Sequence, residues 1–217
     1  MTIRLHHGDC LPAMKQMKDN EYDLAIVDPP YGIGLDKEME ISMIASHDCP
    51  HPKKKEYKQK NWDNETPTQQ YFDELFRISR NQIIWGCNYF TDKIPVCGGR
   101  IYWSKGVTMP TLGKGELAFC SLRNSIDQID LLWAGYRKCE LVDRIHPTQK
   151  PVALYQWILS NYAKPGDRII DTHLGSGSIA IACHDNKFDL DAWELDEEYY
   201  MKAKSRLEAH QQQLQLF

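Results

Sequence analysis

The sequence predicts an α/β fold with a mostly parallel sheet of about seven strands. The short apolar run at residues 24–27, which does not alternate, is typical of a strand buried on both faces, and residues 82–85 and 168–171 are further strand candidates. Helical patterns at residues 71–79 and 179–183 separate or follow these runs, as in βαβ units. Because ligands bind beyond the carboxyl ends of parallel strands, the residues after each run are the first candidates for function.

Length and composition fit one domain, residues 1–217. With 42% hydrophobic residues the chain can bury a large core without a second domain. The net charge of −4 and a pI near 6.1 argue against a protein that is basic throughout. Any contact with nucleic acid must therefore come from local patches.

Cysteine usage and hydropathy indicate a cytoplasmic protein. The seven cysteines are odd in number and include no Cys-x-x-Cys pair, as expected of reduced thiols. No apolar run approaches about 18 residues, which argues against secretion and membrane spanning. His47, Cys49 and His51 have a spacing that fits structural zinc poorly, so no metal site is expected.

The tetrapeptide Asp28-Pro29-Pro30-Tyr31, the 28–31 motif, directly follows an apolar run. Proline has no N–H and a fixed φ, so this stiff backbone presents carbonyl oxygens beside the Asp28 carboxylate. Two neighbouring acceptors suit an exocyclic amine with its two N–H bonds, and the Tyr31 ring offers a face for stacking a base. An ordinary proline turn after a strand is the alternative interpretation.

Two further stretches accompany the 28–31 motif: residues 146–151 read His-Pro-Thr-Gln-Lys-Pro, and residues 171–178 read Asp-Thr-His-Leu-Gly-Ser-Gly-Ser. Together the three stretches resemble the motifs of adenine-N6 DNA methyltransferases. Their order, with the 28–31 motif ahead of the glycine-rich one, is similar to the permuted β-group of that family. The joint match is far more specific than any single motif.

This resemblance implies a Rossmann-like S-adenosylmethionine-dependent methyltransferase fold with permuted motif order. Asp28, Pro29, Pro30 and Tyr31 are then the catalytic residues. The implied reaction is direct transfer of a methyl group from S-adenosyl-L-methionine to the N6 amine of an adenine flipped out of double-stranded DNA. No metal is required.

Cofactor candidates lie at the starts of two helices. A strand at residues 3–7 leads through a turn into a helix, so Asp9 is either a helix N-cap or, as the resemblance implies, a contact to the cofactor's adenine amine, with Cys10 beside it. Thr148 and Lys150 bring a hydroxyl and an ammonium to a second helix start, which suits a carboxylate.

A glycine-rich loop follows the strand at residues 168–171, and its cofactor candidates are Leu174, Gly175, Ser176, Gly177 and Ser178. Its spacing is neither Gly-x-Gly-x-x-Gly nor a Walker loop, so phosphate binding is not indicated.

Two acids flank this loop. By resemblance, Asp171 lies near the methionine amine, and Glu194, at the end of the next strand, accepts from the ribose hydroxyls. The family commonly has Asp-Pro-Phe where this chain has Asp171-Thr172-His173. An imidazole therefore replaces an aromatic wall beside the cofactor.

Contacts to DNA are expected from two segments. Residues 33–70 lose all periodicity, which predicts a mobile loop that closes as a lid, and residues 86–145 resemble by position a small target-recognition region. The candidate DNA-binding residues are Lys53, Lys54, Lys55, Lys105, Arg123 and Arg137, with Lys114 and Lys138 as further candidates. A solvated charge run is the alternative for the first three lysines.

Several alternatives stay open from the sequence. The amine could belong to cytosine N4 or to an RNA adenine, although the family's cytosine enzymes more often have Ser where this chain has Asp28. A DNA- or cofactor-binding relative without catalysis is a third alternative, for which the change at His173 is the best support. The recognition sequence, a homodimer and a restriction endonuclease partner are left undetermined, in a bacterial or phage context.

Overall fold

The computed structural model describes residues 1–34, 63–107, 113–134, 137–138 and 145–214. Most of the expected mobile loop at 33–70 therefore lies outside the described residues. Within the described residues, no helix combines the length and apolar character needed to cross a membrane.

The described strands are β1 (Ile3–His7), β2 (Tyr22–Val27), β3 (Ser79–Trp85), β4 (Arg100–Ser104), β5 (Gly115–Cys120), β6 (Ile126–Asp130), β7 (Trp133–Ala134), β8 (Arg137–Lys138), β9 (Arg168–Asp171) and β10 (Asp189–Glu194). The α-helices are α1 (Cys10–Met14), α2 (Gln69–Ile78), α3 (Val152–Tyr162), α4 (Ser178–Asn186) and α5 (Glu197–Leu214). A short 3₁₀ helix, Cys87–Tyr89, follows β3.

Eight of these strands form one sheet in the order β1-β10-β9-β2-β3-β5-β4-β6, and β7 pairs with β8 separately. The five strands from β1 to β3 are mutually parallel, whereas β5 is antiparallel to both β3 and β4. The predicted mostly parallel α/β sheet is thus confirmed, with eight strands rather than about seven.

Side chains along β2 show how the sheet is buried on both faces. Leu24 and Ile26 belong to one apolar cluster, and Ala25 and Val27 belong to the other. This alternation follows from the two-residue period of a strand. The first cluster includes residues of α3, α4 and α5, and the second includes residues of α1 and α2, so helices cover both faces.

The order of the strands in the sheet explains how the motifs come together. β2, which precedes the 28–31 motif, lies beside β9, which precedes the glycine-rich loop, although about 140 residues separate them in the sequence. The sheet thereby aligns the carboxyl ends of β1, β10, β9 and β2 at one edge. Such an edge is where α/β folds bind ligands.

Candidate active site

A cleft opens at this edge of the sheet and encloses about 830 Å³ of empty space, its open mouth included. Four acids stand at the ends of four neighbouring parallel strands: Asp9 after β1, Glu194 on β10, Asp171 on β9 and Asp28 after β2. The common direction of the strands is what brings these distant residues together.

Ten of the residues selected from the sequence line the cleft: Asp9, Cys10, Asp28, Pro30, Thr148, Lys150, Leu174, Gly175, Ser176 and Glu194. The lining also includes His146, Tyr155 and Tyr199, which the sequence did not single out as site residues. The last two lie on the buried faces of α3 and α5, where an aromatic residue is indistinguishable from core in sequence.

The Asp28 carboxylate accepts hydrogen bonds on both oxygens. The Tyr31 hydroxyl donates to Oδ1 at 2.7 Å, and the Lys150 ammonium donates to Oδ2. Burial raises the pKa of Asp28 above its ordinary value, while Lys150 opposes that rise. Lys150, expected from the sequence to meet a cofactor carboxylate, is only 4% exposed and is directed at Asp28.

A second carboxylate, that of Glu116, also contacts Lys150. The Lys150 Nζ is 2.9 Å from Glu116 Oε2, and Lys105 is ion-paired with the same carboxylate. Burial favours the neutral acid, but the two ammonium groups together lower the pKa of Glu116 to about 2. Glu116 reaches this edge because β5 runs antiparallel to β3, which puts the start of β5 beside the ends of the parallel strands. An inspection of the residues that follow parallel strands therefore does not select Glu116.

The Tyr31 ring is held between backbone and another ring. It stacks on Tyr89 with centroids 4.9 Å apart and planes inclined by 14°. Gly86, with φ of 69°, lies so close that a Cβ there would be 2.1 Å from Tyr31 Cε1. Only glycine fits this position, because it lacks a Cβ and tolerates a positive φ.

Asp63 fixes the backbone of the 28–31 motif. Its Oδ1 accepts from the Tyr31 N–H at 2.7 Å and from the Gly32 N–H at 3.0 Å, and Asp63 is buried. Asp63 could not be selected from the sequence, because it lies 32 residues beyond Tyr31 in a stretch without periodicity.

Hydrogen bonds link the glycine-rich loop to Glu194 on β10 and to Lys150 before α3. The Gly175 N–H donates to Glu194 Oε2 at 2.8 Å, and the Ser178 hydroxyl donates to the Lys150 carbonyl at 2.7 Å. Gly177 has φ of 73° and precedes α4, with Ala203 of α5 packed against it. Gly177 and Ser178 support the loop from behind, since they do not line the cleft.

Asp171 and His173 are both neutralised by burial. Burial raises the pKa of Asp171 to about 8 and lowers the pKa of His173 to about 4. The Asp171 Oδ1 accepts from the His173 N–H at 2.9 Å. The Thr172 hydroxyl lies 2.9 Å from His173 Nδ1 and 2.6 Å from the Tyr71 hydroxyl. The departure from Asp-Pro-Phe is thus built into a hydrogen-bonded chain.

The remaining cofactor candidates are held locally. Asp9 caps α1 by accepting from the Leu11 N–H at 3.0 Å and also lines the cleft. The cap interpretation is therefore confirmed, and the contact to the cofactor's adenine amine stays a prediction. The Thr148 hydroxyl lies 3.0 Å from His146 Nδ1, which fixes its position at the wall of the cleft.

Of the six candidate DNA-binding residues, the structure describes the side chains of Lys105 and Arg123. Lys53, Lys54 and Lys55 lie outside the described residues, as do the histidines and cysteine considered for zinc, and only the backbone of Arg137 is described. Arg123 is half exposed and lies 3.6 Å from Asp127. Residues 100–130, within the expected target-recognition region, supply β4, β5 and β6 of the main sheet.

Known proteins are similar to this chain over most of its length. A family model described as DNA methylase matches residues 51–205, which is more than two thirds of the chain. The chain is 24% identical over 251 residues to the type II methyltransferase M.HpaI of Haemophilus parainfluenzae, covering 96% of this chain and 75% of that protein.

Two solved structures have the same fold. The complex of M1.HpyAVI with SAM has a TM-score of 0.60 and 19% identity, covering 95% of this chain and all of the other. The cytosine-N4-specific PvuII DNA methyltransferase has a TM-score of 0.59 and 12% identity, covering 95% of this chain and 86% of the other. The same fold therefore occurs both in M1.HpyAVI and in a cytosine-N4-specific DNA methyltransferase.

Proposed function

Because this chain belongs to the DNA methylase family, we propose that it transfers the methyl group of S-adenosyl-L-methionine to the N6 amine of an adenine in double-stranded DNA. The observation that carries this proposal is the position of Asp28. It stands at the wall of a cleft that Asp9 and Glu194 also line. These acids end neighbouring strands together with the buried Asp171, which is not among the lining residues.

The chemistry of the cleft suits a cationic nucleoside. S-adenosylmethionine carries a sulfonium, an α-ammonium, ribose hydroxyls and an adenine amine, all of which favour anions or hydrogen-bond acceptors. Asp171 is buried with a backbone N–H as its hydrogen-bond donor, so an ammonium ligand beside it would favour the ionised carboxylate. We assign Asp171 to the α-ammonium, Glu194 to the ribose, and Asp9 to the adenine amine.

Thr148 and the glycine-rich loop complete the proposed cofactor site. Thr148 can donate to the cofactor carboxylate, and Gly175 and Ser176 line the cleft where close approach of a ligand is needed. We assign Lys150 to the catalytic wall instead, since its ammonium is engaged by two carboxylates.

The proposed mechanism depends on positioning. The base leaves the duplex at a cost of a few kcal/mol and enters the cleft. The Asp28 carboxylate and the Pro29 carbonyl accept its two amine hydrogens, which aims the nitrogen lone pair at the methyl group that the cofactor supplies when bound. Tyr31 lies beside the base, and the stiff Pro29-Pro30 backbone keeps the acceptors in place. No strong base is needed, because orientation and preorganised acceptors lower the barrier.

Adenine is preferred over cytosine because of the 28–31 motif, in which the cytosine enzymes of the resembled family more often have Ser in place of Asp28. Fold similarity does not distinguish the two, since the cytosine-N4-specific neighbour scores about as well as the other.

The deciding experiment supplies labelled S-adenosylmethionine with mixed double-stranded DNA and, separately, RNA, and chromatographs the digested nucleosides. We expect label in N6-methyl-2′-deoxyadenosine from DNA, and none with the Asp28→Ala variant. Label in N4-methylcytosine or in RNA would overturn the proposed target, and absence of label would overturn the activity.

A further inference from the structure

Both oxygens of the proposed catalytic carboxylate are already engaged by protein donors. Tyr31 donates to one oxygen of Asp28 and Lys150 donates to the other. A target amine that binds to Asp28 must therefore share or displace one of these donors. Lys150 is the stronger competitor, because a charged donor to a carboxylate makes a shorter and stronger hydrogen bond than a neutral hydroxyl.

Displacing Lys150 from Asp28 is costly unless another anion receives it. The ammonium is 4% exposed, and a buried charge that loses its partner is strongly destabilising. Glu116 meets this requirement, because its Oε2 lies 2.9 Å from the Lys150 Nζ.

Glu116 is itself held in the ionised, oriented form by Lys105. The charges alternate in the order Asp28, Lys150, Glu116, Lys105, and the four together are neutral. Glu116 does not line the cleft, so it does not reach a ligand there directly. Its contacts reach Asp28 through Lys150 and through the Tyr31 hydroxyl, which lies 3.4 Å from Glu116 Oε2.

We propose that Glu116 is a positioning residue that receives the Lys150 ammonium as the target amine binds to Asp28. The movement is small, because Lys150 already contacts both carboxylates. No bond is made or broken; Lys150 shifts its hydrogen bonds from Asp28 toward Glu116. This inference rests on the proposed function, since it presumes that Asp28 receives an amine.

The test uses Glu116→Gln, which keeps the shape and removes the charge. Lys150 then has Asp28 as its single anionic partner, so the amine competes less well and single-turnover methyl transfer should fall by about tenfold or more. Affinity for S-adenosylmethionine should stay within about twofold, because Glu116 lies outside the cleft. The matched control is Glu74→Gln, whose carboxylate is 20% exposed against 21% for Glu116 and is ion-paired with Arg77 on α2. It should leave the rate unchanged.

The direction of the pH profile separates positioning from a merely structural role. The charge on Glu116 raises the pKa of Asp28, so Glu116→Gln should move the acidic limb of the rate profile to lower pH. Lys105→Met leaves Glu116 with Lys150 as its cation here and should move the limb to higher pH. If Glu116→Gln does not fold, Lys105→Met still tests the inference.

Carboxyl ¹³C titration of Asp28 in the protein without DNA measures the same coupling independently of activity. Opposite shifts of its titration midpoint in the two variants support the inference even if the wild-type protein methylates another target. A wild-type rate in Glu116→Gln, or a reduced rate with both midpoints unmoved, overturns it. Lack of methyl transfer by the wild-type protein, with the midpoints shifted as expected, overturns the proposed function alone.

Discussion

Both walls of the cleft carry acids, but the hydrogen-bond partners of these acids differ. On the catalytic wall, Asp28 and Lys150 line the cleft, Glu116 lies outside its lining, and each carboxylate contacts the Lys150 ammonium. On the cofactor wall, Asp171 and Glu194 accept hydrogen bonds from backbone N–H groups. The ammonium groups lower the pKa of Glu116 to about 2, and Lys150 opposes the rise that burial causes in the pKa of Asp28. On the cofactor wall, burial raises the pKa of Asp171 to about 8.

The difference in how the charges are paired indicates a different role for each wall. A wall whose charges are already paired holds its geometry before any ligand arrives, which suits catalysis by preorganised groups. A wall with carboxylates that lack a cation gains the most when a cationic ligand binds, because the ligand supplies the missing partner. Substitutions should therefore reduce turnover on the first wall and affinity on the second.

The largest effect is expected on the catalytic wall. Asp28→Ala should abolish methyl transfer, because the amine loses its charged acceptor, while S-adenosylmethionine affinity stays within about tenfold. Single-turnover kinetics and calorimetry on the same preparation measure both quantities. Retention of more than a few per cent of the wild-type rate would break the distinction between the walls.

Tyr31 should have the next largest effect on turnover. Loss of the ring in Tyr31→Ala should lower the rate by roughly tenfold to a hundredfold, the equivalent of 1.4–2.8 kcal/mol. Tyr31→Phe keeps the ring and its packing on Tyr89 and should retain substantial activity.

Stacking and packing are separated by a second measurement. With 2-aminopurine at the target position, its fluorescence reports base flipping, and a melting curve reports stability. A stable Ala variant with weakened flipping supports a stacking role for Tyr31; an unfolded one assigns the ring to the core.

On the cofactor wall, Asp171→Asn should weaken S-adenosylmethionine binding by about 1–3 kcal/mol, the value of a charged hydrogen bond. Wild-type affinity should rise with pH up to about 8, as the free carboxyl ionises, and this dependence should vanish in the variant. Calorimetry from pH 6 to pH 9 measures both, with the exposed Asp92→Asn as control. Unchanged affinity would remove Asp171 from the cofactor site.

The same variant should affect stability in the opposite direction. The folded-state pKa of Asp171 is the higher one, so its contribution to stability is present at low pH and is lost as the pH rises through about 8. Asp171→Asn cannot ionise and should melt at a higher temperature than the wild type at pH 9, with a smaller difference at pH 6. A lower melting temperature at pH 9 would contradict the burial argument.

The smallest effect concerns neither wall. Replacing Lys53, Lys54 and Lys55 together by Gln should reduce the log–log slope of DNA affinity against salt by up to about 3, if each contacts a phosphate. Replacing the exposed Lys15, Lys202 and Lys204 is the control. Equal slopes for the two triple variants would return the lysine run to the solvated interpretation.

The fold class, the family and the residues that end or follow parallel strands could be predicted from the sequence. Asp28, Asp171 and Glu194 were found because a parallel strand ends at a known edge of the sheet, so position along the chain predicts position in space. The family prediction, made from three motifs, is confirmed by the match over residues 51–205.

The contacts that those residues make could be identified in the tertiary structure alone. Glu116 and Asp63 were missed because the antiparallel pairing of β5 and a contact 32 residues along the chain leave no periodic signal. Lys150 was identified as a charged residue of the site, but its partner was not. The strength of a charge interaction depends on distance and burial, and these are set by how distant segments pack rather than by the order of residues.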